Sequence, residues 1–240
     1  MTSRLVALTF DANDPVRLGR FWAGLLGREV VQEPDGGIAL PRRGEPGFRL
    51  EFYPTETQKS GPNRIHLDLT STSHEDQHQR AALAVELGGR HIDIGQPPEE
   101  GHLVLADPEG NELCIIPPGN GFLADTDLIG AVNCDGTQAV GYFWSAALGW
   151  PLVWDQDEET AIQSPHGGSK IAWGGPPVNP KTGKNRLHLD IAPPLDGDQQ
   201  AEVERLVSLG ASRIDIGQGE VSWVVMADPD GNEFCVLTPR

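Results

Sequence analysis

The chain has 240 residues, enough for two domains of about 120 residues that each bury a real core. Its 35 acidic and 18 basic residues leave a formal charge of −17, which argues against nucleic acid or an anionic membrane as partner. No apolar run is long enough to span a bilayer and no signal peptide precedes the strand-like segment after Met1-Thr2-Ser3-Arg4, so the expected compartment is the cytoplasm. Three cysteines suggest no disulfide framework, since Cys114 and Cys235 occupy equivalent positions and Cys134 has no counterpart. Twenty-nine glycines and twenty prolines fit many short strands joined by tight turns.

Val6–Phe10 reads as the first strand. Asp14-Pro15 is a helix start, with Asp as N-cap and Pro at N1, and Leu18, Phe21, Trp22 and Leu25 follow at helical spacing until Gly27. Strands are expected at Glu29–Gln32, Gly37–Leu40 and Phe48–Tyr53, separated by Pro-Asp-Gly-Gly and Arg-Arg-Gly-Glu-Pro turns. The order then repeats: strand Ile65–Leu69, a helix capped by Ser73 with Asp76 three residues on and ending at Gly88-Gly89, then strands Arg90–Ile94, His102–Ala106 and Glu112–Ile116. These are two βαβββ modules.

The whole pattern is written twice. Asn63-Arg64-Ile65-His66-Leu67-Asp68-Leu69 returns as Asn185-Arg186-Leu187-His188-Leu189-Asp190-Ile191, an offset of 122 residues. Ile92-Asp93-Ile94-Gly95-Gln96 returns as Ile214-Asp215-Ile216-Gly217-Gln218, and Asp107-Pro108-Glu109-Gly110-Asn111-Glu112-Leu113-Cys114 as Asp228-Pro229-Asp230-Gly231-Asn232-Glu233-Phe234-Cys235. Phe21-Trp22 and Leu26-Gly27 match Phe143-Trp144 and Leu148-Gly149. A period this long means two copies of one domain, 1–120 and 125–240, with the boundary in Pro118–Asp127. The expected fold is therefore α+β, with four modules whose curved mixed sheets form a cleft.

Strand alternation sorts the side chains. Ile65, Leu67 and Leu69 share a face that packs under the helices, and His66 and Asp68 share the opposite one. Leu50 and Phe52 likewise oppose Arg49, Glu51 and Tyr53. A partly polar face of this kind suits a ligand cleft.

In its Asp-Pro…Phe-Trp…Leu-Gly helix, His-Leu-Asp-Leu strand and Asp-Pro-(Glu/Asp)-Gly-Asn hairpin, the chain resembles the vicinal oxygen chelate superfamily, which groups glyoxalase I, bleomycin-resistance proteins and extradiol dioxygenases. The resemblance covers nearly the whole chain as two tandem glyoxalase-like domains. Metal-using members place ligands near the start of each module's first strand and on its last strand, so the resemblance puts the first copy's positions at Ala7, Glu51, His66 and Cys114. In the second copy they fall at Ile129, Ala172 or Trp173, His188 and Cys235. This implies a metalloenzyme scaffold whose metal site is largely dismantled.

Each singled-out residue has a plainer reading. His66 and His188 are metal ligands or general bases, or else histidines held by Asp68, Asp93 or a backbone carbonyl. Cys114 and Cys235 are reactive thiolates or small buried thiols. Glu51 has an apolar counterpart in the second copy and is either a ligand or an exposed strand carboxylate. His102 and Trp223 are polar and aromatic versions of one position. Trp144 matches the core Trp22, whereas Trp150, Trp154, Trp173 and Trp223 are additional and could stack on a planar ligand or fill an interface. No Gly-rich phosphate loop, Cys-pair zinc pattern or Ser nucleophile elbow is present.

The expected function is binding of a small, possibly aromatic molecule without a full metal site and with no cofactor. Its ligand-binding candidates are Glu51, His66, Asp68, His102, Cys114, Trp173, His188, Asp190, Trp223 and Cys235. The alternative is a metal-dependent lyase, epimerase or dioxygenase with one divalent metal held by Glu51 and His66 in the first copy. The tandem mimics a dimer of single domains, so a monomer or homodimer is expected.

Overall fold

The computed structural model describes residues 2–34, 36–44, 46–95 and 100–240. Met1, Asp35 and Glu45 of two expected turns, and Gln96 of a repeated block lie outside the described residues, as do residues 97–99. The first copy runs β1 (Arg4–Ala12), α1 (Pro15–Leu26), β2 (Val31–Gln32), β3 (Ile38–Leu40), β4 (Arg49–Pro54), β5 (Ile65–Leu69), α2 (His74–Glu86), β6 (Arg90–His91), β7 (Leu103–Ala106) and β8 (Glu112–Ile115). The second runs β9 (Ile129–Cys134), α3 (Gln138–Leu148), β10 (Leu152–Gln156), β11 (Glu159–Ser164), β12 (Gly167–Trp173), β13 (Leu187–Ala192), α4 (Gln199–Ser208), β14 (Ser212–Arg213), β15 (Val224–Ala227) and β16 (Glu233–Val236). This is the α+β, four-module order read from the sequence. The strands expected at 29–32 and 90–94 are cut to two residues each, at sheet edges where little pairing holds them.

The helix signals work as read. Asp14 accepts from the Arg17 backbone N–H, and Gly27 closes α1 at φ 62°, a left-handed conformation that glycine adopts without strain. Ser73 accepts from Asp76, but the reciprocal bond to the Asp76 carboxylate comes from Thr72, one residue earlier than a standard capping box. Thr137 makes no side-chain cap of its own for α3; its N–H and hydroxyl donate instead to Asp230 of the second copy's last hairpin.

Two sheets of eight strands result. Their orders are β14-β15-β16-β13-β1-β4-β3-β2 and β10-β11-β12-β9-β5-β8-β7-β6. Each sheet takes one module from each copy, joined at its centre by an antiparallel pair, β1 with β13 and β5 with β9. The apolar faces of both sheets and the helices over them share one continuous core that includes Trp22, Leu67, Trp144 and Phe234. Burying each such side chain contributes roughly 1.5–3 kcal/mol.

The repeated motifs mostly build this frame. Trp22 Nε1 donates to Asp107 Oδ2 at 3.1 Å and Trp144 Nε1 to Asp228 Oδ2 at 3.3 Å, tying the first helix of each copy to its last hairpin. Asp107 also accepts from the backbone of Glu109 and from Asn111, and Asn111 takes the Asn63 amide. Asp228, Asn232 and Asn185 repeat this arrangement. Arg186 crosses between copies, pairing with Glu109 and donating to the Asn13 side chain.

Truncating the acceptor strands several buried donors at once. Asp107→Ala leaves Trp22 Nε1 and the Asn111 amide without it, and each orphaned buried group costs about 1–3 kcal/mol. We expect Asp107→Ala and Asp228→Ala each to lose roughly 2–5 kcal/mol in urea unfolding, with the slope unchanged.

Candidate functional site

The first sheet carries its polar residues on the face away from the helices. Across its centre Thr9 on β1 is paired with His188 on β13 and, on its other side, with Glu51 on β4. Asp190 on β13 is paired with Cys235 on β16, and Cys235 with Val225 on β15. These residues line a cleft of about 530 Å³, with Trp223, Tyr53 and Leu237 adding apolar wall and Lys184 and Arg240 adding positive charge.

Its charges are largely matched. His188 Nε2 lies 3.3 Å from Asp190 Oδ1, and Thr9 Oγ1 donates to Asp190 Oδ2 at 2.6 Å. Arg49 Nε lies 3.1 Å from Glu51 Oε1 and its guanidinium also pairs with Glu33, while Lys184 pairs with Asp11. Burial would lower the His188 pKa, but Asp190 beside it reverses this and holds it well above the usual value. Burial pushes the Glu51 carboxyl and the Cys235 thiol up.

The second sheet repeats the centre. His66 Nε2 lies 3.4 Å from Asp68 Oδ1, Asn133 donates to Asp68 Oδ2 from the opposite strand, and Asp68 is paired with Cys114. Burial again works to lower the His66 pKa, yet Asp68 and Cys114 raise it to about 10. Burial raises the Cys114 thiol. In both sheets the aspartate two residues on thus favours the charged form of the histidine; Asp93 takes no part and instead accepts from the Gly95 backbone.

Several sequence expectations need correction. Glu51 and His66 do not share a site: β4 belongs to the first sheet and β5 to the second, so Glu51 faces His188 and Asp190. That topology does not bring Glu51 and His66 together as joint ligands of one metal. The residues opposite the histidines are Thr9 and Asn133, not Ala7 and Ile129. Trp173 is 1% exposed in the core, because alternation along β12 puts it on the helix side with Ile171. Trp150 packs against the core and Trp154 meets Phe122 edge-on at 6.0 Å, so the additional tryptophans form no common pocket. Trp223, 39% exposed, does line the first cleft. His102 lies just before β7 with Nδ1 3.7 Å from Glu100.

Sequence reasoning missed Thr9 and Asn133, although alternation along β1 puts Thr9, between Leu8 and Phe10, on the polar face. It put Arg49 on the polar face with Glu51 but not among the candidate ligand-binding residues. No local signal pointed to Arg240 or Lys184.

The donors in each cleft can be tested against a metal. The four-ligand His and Glu set that the resemblance implies is not assembled: beside Glu51 and His188 stand Thr9 and Cys235, and beside His66 stand Asn133 and Cys114. What each cleft offers is a smaller cluster, His66–Asp68–Cys114 and His188–Asp190–Cys235, with one ligand atom per residue all within 4.8 Å. In these clusters Asp68 Oδ1 and Asp190 Oδ1 meet only their histidines, at 3.4 and 3.3 Å, and His188 Nδ1 is buried without a hydrogen-bond partner.

The model of the glyoxalase-like domain family matches residues 7–116 and again residues 130–237. Among solved structures, glyoxalase I from Zea mays aligns with a TM-score of 0.68 and 14% identity, covering 99% of this chain and 92% of that one. A Bacillus subtilis protein assigned as a dioxygenase aligns with a TM-score of 0.65 and 14% identity, covering 99% of this chain and 85% of that one. Likenesses at this identity concern the fold. No curated protein sequence matches. With more than half its length matched in two tandem copies, and with the module order already described, the chain belongs to the glyoxalase-like domain family.

Proposed function

We propose that the chain is a small-molecule-binding protein whose working site is the first cleft, between β1 and β4 of one copy and β13, β15 and β16 of the other. The observation that carries this reading is the opening of about 530 Å³ with Trp223 as a partly exposed aromatic wall above a floor of paired charges. Because Arg49, Glu51, His188 and Asp190 satisfy one another, the floor stays polar without carrying a large net field. Binding energy then comes chiefly from apolar contact and ring stacking, with Arg49 and Arg240 on the cleft wall to orient polar atoms of the ligand. The first cleft is lined by residues of both copies of one chain, so the reading needs no second subunit, and a monomer is proposed. Among the described residues no helix is long and apolar enough to cross a membrane, and we propose action in the cytoplasm.

One observation favours a second reading. Each His–Asp–Cys cluster places a nitrogen, an oxygen and a sulfur at ligand separation, a set that suits a borderline-soft ion such as zinc. A metal there would supply Lewis-acid chemistry of the lyase, epimerase or dioxygenase kind.

Tryptophan fluorescence tests the first reading. A compound found by quenching screens should lose at least about fivefold in affinity in Trp223→Ala, on the order of 1 kcal/mol. Trp173→Ala should instead lose roughly 3–5 kcal/mol of stability and leave the affinity of the folded fraction unchanged. Equal affinity in wild type and Trp223→Ala overturns the site.

Metal analysis after incubation with zinc, nickel, iron(II), manganese or cobalt and desalting decides between the readings. We expect well below one ion per chain. About one or two tightly held ions per chain, lost stepwise in His188→Ala and His66→Ala together with any cobalt–thiolate absorption, would replace the first reading by the second.

A further inference from the structure

The two clefts share a frame but differ in what lies on them. In the second sheet Ala131 is paired with both Lys170 and Asp68; in the first, Ala7 is paired with both Arg49 and Asp190. Cys114 with Val104 likewise corresponds to Cys235 with Val225. Residue by residue, then, Val104, Cys114 and Lys170 stand where Val225, Cys235 and Arg49 stand. In the first sheet this surface faces the open cleft.

In the second sheet it is covered by the chain itself. Leu123, from the segment that joins the copies, is buried in a separate cluster with Val104, Cys114, Ile116 and Ala131, and Phe122 packs against the same cluster. Lys170 Nζ sits 4.6 Å from the Phe122 ring centroid and also donates to the Phe122 carbonyl. The segment is held in place by its own bonds. Asn120 Oδ1 accepts from the Leu123 N–H at 3.1 Å, and Thr126 Oγ1 donates to the Leu123 carbonyl at 2.7 Å. Gly130 makes room for it, since a Cβ there would come within 2.9 Å of Leu123 Cδ1.

We infer that Phe122 and Leu123 occupy the second cleft as a built-in ligand, leaving one binding site per chain, and that they mirror what the first cleft takes: an apolar, ring-sized group carrying an acyl oxygen. Resting on the proposed small-molecule function, this assigns the ligand class. The apolar part replaces Leu123 and Phe122 over Val225, Cys235 and Leu237, and the acyl oxygen meets Arg49 as the Phe122 carbonyl meets Lys170. A guanidinium has five N–H donors, so Arg49 can keep Glu33 and Glu51 and still present one to a ligand.

The test uses the full chain with 3-phenylpropanoate, 3-phenylpropanamide and, as the compound without an acyl oxygen, 3-phenylpropan-1-ol, followed by tryptophan quenching and equilibrium dialysis. The acid and the amide should bind once per chain, at least about fivefold more tightly than the alcohol, and Arg49→Gln should abolish that preference. The double variant Phe122→Ser with Leu123→Ser should bind two per chain. In case that variant fails to fold, 4-fluorophenylalanine placed at Phe122 in otherwise unchanged protein gives a second readout: its fluorine signal should stay fixed while the probe saturates. Two probes per wild-type chain, one per folded double variant, or a fluorine signal that shifts with the probe would overturn the inference. If other compounds quench through Trp223 while these probes and the alcohol bind alike, the ligand class falls and the proposed function stands. If nothing quenches through Trp223, both fall.

Discussion

The antiparallel pairing of β1 with β13 and of β5 with β9 decides everything else about this molecule. A βαβββ module has one apolar sheet face to bury and one central edge to fill, and here each edge is filled from the other copy. Within a copy the modules are linked differently, through the buried bonds from Trp22 to Asp107 and from Trp144 to Asp228. Sheets therefore join the copies and helix–hairpin contacts join the modules of one copy. The two kinds of link cross, so neither copy is a self-sufficient half. The sheets end on the very short β2, β6 and β14, with the longer β10 at the remaining edge, which limits the open backbone offered to other chains.

That crossing is also where the sequence stopped being legible. Repeats, caps and alternation are local properties, and they located the modules, the helix ends at Gly27 and Ser73, and the division of Ile65, Leu67 and Leu69 from His66 and Asp68. The choice of partner across a sheet is not local. Two copies of one module pattern can pair within a copy or between copies with the same alternation, so Glu51 was assigned to His66 when it faces His188. Trp173 is a different kind of error. Ile171, two residues before it, shares its face, and the strand period of two sends both to the core.

The histidine–aspartate pairs at both sheet centres show how a buried charge can be kept by duplication without being a stabilising asset. At the well-buried His188–Asp190 pair, removing one partner leaves the other charge buried and uncompensated, which costs several kcal/mol, whereas replacing both at once can cost little; the half-buried His66 carries a smaller penalty. Single substitutions therefore meet a penalty that paired ones avoid, which favours keeping the pair after duplication whether or not both clefts are used. Thr9 and Asn133 fit this view: different residues, each spending its donor on the second oxygen of the aspartate. The partner that matters to the ion pair is constrained in function, not in identity.

Connectivity makes the two clefts unequal even where their residues match. The segment between the copies leaves β8 and enters β9, and both strands lie in the second sheet. It must therefore run beside that sheet, within reach of its polar face, while the corresponding strands of the first sheet, β16 and β1, have no covalent link between them. A tandem of two identical domains paired in this way places its connecting segment beside the second sheet. Phe122 and Leu123, with Gly130 yielding space and Lys170 placed over the ring, adapt that segment to fill the surface it crosses. The asymmetry thus follows from chain topology first and from side chains second, which is why comparison of the two copies residue by residue could not reveal it.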